Sequence, residues 1–395
     1  MTTRDATPPR LDLVASLLVA ALLLVGLVMV ASASVPLAGR EGHAPLYYLM
    51  NQLLPLGVGL AAGALLLQLP LHHVERLSMP LVWLAIIGLV LVMVPGIGKV
   101  ANGSRRWINV MGIGFQVSEL ARLFIMIYVA SYAVRREQAL RSGFRGLLPP
   151  LLLAAAAALL IFIEPDLGGA MVLMATVLML LLVAGARWSA VALPMACVAG
   201  LGALAVVFTP YRLTRLMSFQ DPWADPFDSG FQLAQSLIAI GRGGWFGVGL
   251  GDSMQKQAYL PEAHTDFLFA VIAEETGLVG VVVLVGLYLA LVWRVFQIAR
   301  RAEAAGHRFA AYIAAGFGLW LGVQALFNIG VNMGVLPTKG LTLPLASYGR
   351  SSLMVTLLWF ALVMRANHEV LGGRRLVAGA LRRRAGTAAI HEVPA

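Results

Sequence analysis

Several things are scarce in this chain of 395 residues. It has one cysteine, Cys197, inside an apolar run, which excludes a disulfide framework and a cysteine metal site. Charged residues make up only 12% of the chain, about half the usual share in a soluble domain, while 59% of residues are hydrophobic. That balance excludes an ordinary soluble protein and leaves a polytopic membrane protein. Acids are scarcer than bases, 19 against 29, for a net charge of +10. A nucleic-acid partner is not expected, because the arginines lie in short segments between apolar runs and in a C-terminal tail, where they mark the anionic cytoplasmic leaflet. There is no 20–50-residue repeat and no inverted repeat of the kind many transporters carry. The Gly-rich stretch Gly241–Gly251 is not followed by Gly-Lys-Ser/Thr, so it is not a Walker loop. His264 has no second histidine nearby and no His-Glu-x-x-His pattern, which argues against a zinc site.

Long apolar runs are what the chain does have. About ten are long enough to cross ~30 Å of hydrocarbon, near 12–34, 52–70, 79–98, 117–134, 147–163, 168–186, 188–208, 266–293, 309–334 and 345–366. The first is too long for a signal peptide and lacks a convincing cleavage site. The expected fold is an all-α polytopic membrane protein of about ten transmembrane helices, with a large periplasmic loop, 209–265, between spans seven and eight. Residues 1–11 form an N-terminal tail, 12–367 the transmembrane domain and 368–395 a basic C-terminal tail. Arg76, Arg135, Arg136, Arg141, Arg145, Arg187, Arg294, Arg300, Arg301 and Arg308 fall on the same side as both tails. Under the positive-inside rule that side is cytoplasmic.

The opposite, outward side carries the chemistry. Residues 260–275 hold four of the 19 acids, Glu262, Asp266, Glu274 and Glu275, at the mouth of a span. Carboxylates there are costly unless they face a cavity or a partner. Glu262 and Asp266 are four apart. If one helix runs through both, they repel and one pKa rises toward that of a general base. Glu119 and Arg122, at i,i+3, read either as an internal ion pair or as a polar wall of an outward cavity. Glu164-Pro-Asp-Leu-Gly168 reads either as a capped turn or as part of a site. Ser347, Ser351 and Ser352 suit helix capping, whereas Lys339 and Arg350 are placed to meet anionic phosphate. Loop 209–265 is rich in Arg, Asp, Trp and Phe, and its aromatics suit interface anchoring and ligand contact equally.

These motifs, in this order, resemble the SEDS family of shape, elongation, division and sporulation proteins. The resemblance rests on Asn102 to Trp107 and Gln116 to Glu119, on Pro165 to Gly168, on Leu260 to Phe267 and on Ser347 to Ser352. It covers nearly all of the chain except the tails. Glu164-Pro-Asp, Pro226 to Leu233 and Pro337 to Thr342 are spelled as in the family's division member. Val117, Arg122, Thr276 and Arg350 depart from the usual residues, Arg350 replacing a glycine. The resemblance implies a peptidoglycan glycosyltransferase of the cytoplasmic membrane that polymerises lipid II on the outer face, at the division septum. It implies as partners a class B penicillin-binding transpeptidase, other membrane proteins of the division machinery, and membrane lipids. It makes Asp266 the catalytic base. Arg105, Arg106, Glu119, Arg122, Asp166, His264, Lys339, Ser347, Arg350 and Ser351 become the substrate-binding set, with Arg242 a weaker member. No cofactor is fixed, and a divalent cation is left open. Two rival readings stand beside this one, a flippase or transporter of lipid-linked precursors and a non-catalytic scaffold.

Overall fold

The computed structural model describes residues 11–101, 104–110, 113–257 and 259–390. The terminal arginines Arg4 and Arg10, and Asn102 of the first motif, lie outside those residues. Helices α1 (Leu13–Arg40), α2 (Tyr47–Leu66), α3 (Leu71–Arg76) and α4 (Ser78–Met93) lead into three strands, β1 (Gly98–Ala101), β2 (Ser104–Val110) and β3 (Ile113–Gln116). Then come α5 (Val117–Arg135), α6 (Glu137–Ser142), α7 (Phe144–Ile163), α8 (Leu167–Val183) and α9 (Trp188–Val207). The long segment 209–265 contains α10 (Pro210–Gln220) and α11 (Phe231–Gly243), and the last three helices are α12 (Leu268–Ala304), α13 (Arg308–Asn332) and α14 (Arg350–Ile390).

The apolar runs became helices because a backbone in lipid must satisfy its own polar groups. Eight helices among the described residues are long and apolar enough to cross a membrane. Two shorter apolar helices, α4 with 16 residues and α8 with 17, occupy the expected third and sixth runs. Both α5 and α13 are buried along most of their length, with α13 packed against α12, α8, α14 and α5. By contrast, α1, α2 and α9 expose leucine and valine, which suits lipid. The sequence did not foreshadow the small sheet. It is antiparallel in the order β1-β2-β3, with Trp107 opposite Gln116 and a register irregularity between Lys99 and Val100.

Two ends of the bundle are latched. Asp12 caps α1 through the Ala15 amide and binds Arg294 of α12 through both oxygens at 2.9 Å. The arginine lowers the Asp12 pKa against the opposing effect of burial. Helix α14 passes the expected boundary at 367/368 without a break, and Glu369 accepts from the Leu71 amide at 2.8 Å.

Helix α12 is interrupted. Gly277 has φ +67° and ψ −166°, a region open to glycine. The gap admits the loop at 244–249. Leu278 N–H donates to the Gly244 carbonyl at 2.9 Å, Val279 N–H to that of Trp245 at 3.1 Å, and Val248 N–H to that of Glu274 at 2.9 Å. A Cβ at Gly277 would lie 2.4 Å from the Gly247 nitrogen, so no other residue fits there.

Candidate active site

Asp266 sits in the turn just before α12, and the helix does not extend back to Glu262. Glu262 has φ +54°, is exposed, and accepts from the Thr265 hydroxyl at 2.7 Å. The expected shared helical face is therefore absent, but Glu262 still acts on Asp266 through space. Burial pushes the Asp266 carboxyl up to about 7, Glu262 and Asp166 reinforce this, and Arg106 and Arg215 oppose it. Its Oδ2 lies 3.2 Å from where a Cβ on Gly340 would stand, so the carboxylate faces the Lys339–Gly340 loop.

The backbone of Asp266 is held from α13. Asn328 and Asn332 each donate a side-chain N–H to its carbonyl, at 2.8 and 3.0 Å. Asn332 also accepts from the Ala270 amide at 3.2 Å. Asn328 donates a second bond, 2.6 Å, to the Leu341 carbonyl, and Gln324 donates to that of Thr342 at 3.1 Å. Gln324, Asn328 and Asn332 are all buried. Spaced four apart, they form one stripe on α13 that joins the Asp266 turn to the Lys339 loop. Sequence reasoning missed them. The available signal was three amides at i, i+4 and i+8 inside an apolar helix, which are costly in lipid without partners.

The stripe continues into α5. Arg122 donates to Gln324 Oε1 at 3.1 Å and pairs with Glu119 at 2.5 Å, both residues being buried. The structure shows the ion pair, and through Gln324 and the Thr342 carbonyl the pair braces the loop that faces Asp266.

Asp166 caps α8, accepting from the Gly169 amide at 2.8 Å. Its charge also acts on Glu119, Glu164, Asp266 and Lys339, which puts it at the electrostatic centre of the site. Glu164 is buried, and both its carboxyl oxygens lack a partner among the described residues. Burial, with help from Asp166, pushes its pKa up to about 8 against Arg106, so it is largely neutral at pH 7. Lys339 is half-buried, with Nζ 3.0 Å from Met171 Sδ. Burial and then Arg212 lower its pKa to about 8 against the pull of Asp166.

The two neighbouring arginines part company. Successive strand residues point to opposite faces. Arg106 joins the electrostatics of Glu164 and Asp266, while Arg105 donates to the Met93 carbonyl at 3.2 Å and lies against Gly98. Arg350 reaches β3, its Nη2 3.6 Å from where a Cβ on Gly114 would stand. The Ser347 and Ser351 hydroxyls accept from the amides of Leu343 at 3.0 Å and Gln116 at 2.8 Å. The His264 ring packs between Tyr48 and Tyr348, at centroid distances of 4.9 and 5.3 Å. Burial lowers its pKa, Glu262 and Glu41 opposing. Beside it lies a cavity of about 240 Å³ lined in part by Arg40, Lys256, Glu262 and His264.

Two of the four acids near the mouth hold structure. Glu274 accepts from the Ser253 hydroxyl, from the Met254 amide at 3.1 Å and from Arg242 at 3.3 Å. Glu275 pairs with Lys256 at 2.6 Å and accepts from Ser32. Arg242 is thereby engaged away from Asp266. No group of three or more His, Cys, Asp or Glu side chains suited to a metal occurs among the described residues.

Asn332→Ala would remove one of two donors to the Asp266 carbonyl and one of two acceptors of the Ala270 amide, each lost bond costing about 1 kcal/mol. Because it loosens the Asp266 turn, turnover is expected to fall about tenfold or more. A lower melting temperature with unchanged turnover would make Asn332 a purely structural residue.

A model of the cell cycle protein family FtsW, RodA and SpoVE matches residues 13–371. The chain is 52% identical to the probable peptidoglycan glycosyltransferase FtsW of Thioalkalivibrio sulfidiphilus, over 92% of this chain and 90% of that one. It is 49% identical to the protein of the same description from Methylococcus capsulatus, over 89% and 88%. Among solved structures it resembles a chain of a peptidoglycan synthase complex that coordinates polymerization and crosslinking, with TM-score 0.75 and 32% identity over 91% and 98%. The rod shape determining protein RodA of Thermus thermophilus aligns with TM-score 0.66 and 31% identity, over 90% and 96%.

Proposed function

Because the chain belongs to the FtsW/RodA/SpoVE family of cell cycle proteins, we propose that it is a peptidoglycan glycosyltransferase that polymerises lipid II with Asp266 as general base. The observation that carries this reading is one partly buried carboxylate, anchored through its backbone by two asparagines and facing the loop at Gly340, with the charges of Asp166 and Arg106 acting on it. In the step, Asp266 takes the proton of a GlcNAc C4 hydroxyl as its oxygen attacks C1 of a MurNAc pyrophosphate. The C1–O bond breaks and undecaprenyl pyrophosphate leaves with the electron pair. Arg106 and Lys339 offset the developing charge on the leaving group, aided by Arg212 and Arg215. Asp166 orients these cations, and neutral Glu164 avoids adding a second negative charge beside the pyrophosphate. No step in this reading uses Arg105, which turns toward Met93, or Ser347 and Ser351, whose oxygens accept from backbone amides.

Two titrations should frame activity. The base must be ionised, so polymerisation should rise as pH increases through about 7, the Asp266 value. The lysine must be charged, so the rate should fall as pH rises through about 8, the Lys339 value. Lys339→Arg keeps the charge at all accessible pH values and should abolish the alkaline limb. An alkaline limb that survives in Lys339→Arg assigns that titration elsewhere.

The reading requires 209–265 to lie on the outer face of the cytoplasmic membrane, with both termini inside. Asp228 is exposed and serves as the reporter. In a Cys197→Ser background, Asp228→Cys should react with a membrane-impermeant maleimide added to the outside of intact spheroplasts. Labelling only after lysis would invert the topology and remove an outward-facing polymerase.

A transporter needs its polar groups near the midplane. Here the polar stripe occupies only the last third of α13 and the first turns of α5. The similarity to a chain of a synthase complex supports a penicillin-binding transpeptidase as partner. The decisive assay is polymerisation of lipid II by the purified chain, with and without its cognate transpeptidase. Failure to polymerise in both arms would leave the scaffold reading.

A further inference from the structure

A second cavity, of about 420 Å³, lies at the other end of α5, lined by Met79, Tyr128, Tyr132, Arg135 and Arg136. Its walls are tied together. The Tyr132 hydroxyl donates to the Gly146 carbonyl of α7 at 2.7 Å, and the Ser78 hydroxyl of α4 donates to Ser131 Oγ of α5 at 3.1 Å. The two tyrosines are largely buried, 5% and 9% exposed. Tyr128 makes no hydrogen bond among the described residues, yet its hydroxyl is not among the sealed, unsatisfied polar atoms. It therefore has an unused donor with access to open space. Arg135 uses only Nε, in a long 3.4 Å bond to the Ser131 carbonyl, and Arg136 has no side-chain partner among the described residues. Glu75 lies close enough to Arg135 to feel its charge.

We propose that this cavity binds the phosphate of an anionic phospholipid headgroup. Two guanidinium groups and a phenol are the donors that a phosphate diester accepts from. Depth argues for a lipid over a free anion. The 19 residues of α5 rise about 28 Å, close to the hydrocarbon thickness, so arginines at its end lie at headgroup level. Met79 and the faces of the tyrosine rings supply an apolar wall for the glycerol and upper acyl carbons. The positive-inside rule needs arginines but no cavity, and Arg145 and Arg187, exposed on the same side, meet that need without lining this one. The orientation proposed above matters only for which leaflet supplies the lipid. Binding in detergent is independent of it, so the two readings fail separately.

The test is native mass spectrometry of the purified full chain in detergent, titrated with phosphatidylglycerol, phosphatidylcholine or inorganic phosphate. One phosphatidylglycerol should be retained per chain, in preference to phosphatidylcholine. Arg135→Gln/Arg136→Gln should weaken it roughly 30-fold, since each arginine near an anionic phosphate contributes about one kcal/mol or more. Tyr128→Phe, which removes one hydroxyl and keeps the ring, should weaken it several-fold. Arg187→Gln, an equal charge change elsewhere, should leave retention unchanged. Equal retention of phosphatidylcholine, or equal loss in Arg187→Gln, would overturn the proposal in favour of unspecific annular lipid. Competition by millimolar inorganic phosphate to the same degree as by lipid would make the site a free-anion site and overturn the lipid assignment.

Discussion

Asp266→Asn should lower lipid II polymerisation by about 10²–10⁴-fold, the usual contribution of a positioned general base, without unfolding the chain. Asparagine has nearly the same shape but cannot take the proton. The fold should survive because α13 grips Asp266 by its backbone carbonyl, through Asn328 and Asn332, and the substitution leaves that carbonyl in place. The measurement is glycan-strand formation by purified variant and parent, with melting temperatures compared in the same detergent. A variant that polymerises near the parental rate would overturn the base assignment. A variant that melts far below the parent would show that the carboxylate also holds structure.

The second large effect is expected at Glu119 and Arg122. Their side chains are 8% and 4% exposed, in contact at 2.5 Å. Glu119→Gln or Arg122→Gln alone leaves a buried charge without its partner, which typically costs about 3–5 kcal/mol. The double substitution removes both charges and should cost clearly less than the sum of the singles. Activity should follow the Arg122 change more steeply than the Glu119 change. Arg122 also donates to Gln324, and Gln324 holds the Thr342 carbonyl beside the Lys339 loop. A double-mutant cycle on melting temperature and polymerisation rate checks both statements. Strict additivity would mean the two residues do not interact.

The helical spans were legible because their signal is local. Hydrocarbon demands a long apolar run with internally satisfied backbone, and such a run is visible residue by residue. The motif residues Asp166, Asp266 and Lys339 were legible for a related reason, since acids and cations at span ends are rare enough to stand out. The sequence also narrowed Glu119 and Arg122 to one helical face, which the structure occupies with an ion pair.

Partnership was decided only by the tertiary structure. Glu274 and Glu275 look like Asp266 in the sequence, yet one staples the Ser253–Met254 turn and the other binds Lys256 and Ser32, which is 243 residues away from Glu275. Arg105 and Arg106 look interchangeable until the strand turns one toward the acids and the other toward Met93. Asn328 and Asn332 find their use in a carbonyl 62 and 66 residues earlier in the chain. The physical reason is common to these cases. A buried polar group must find a partner wherever packing places one, because leaving it unpaired costs more than most single contacts contribute. Local sequence determines that such a group exists and which face of its helix or strand it occupies, and only the packed bundle determines what it meets.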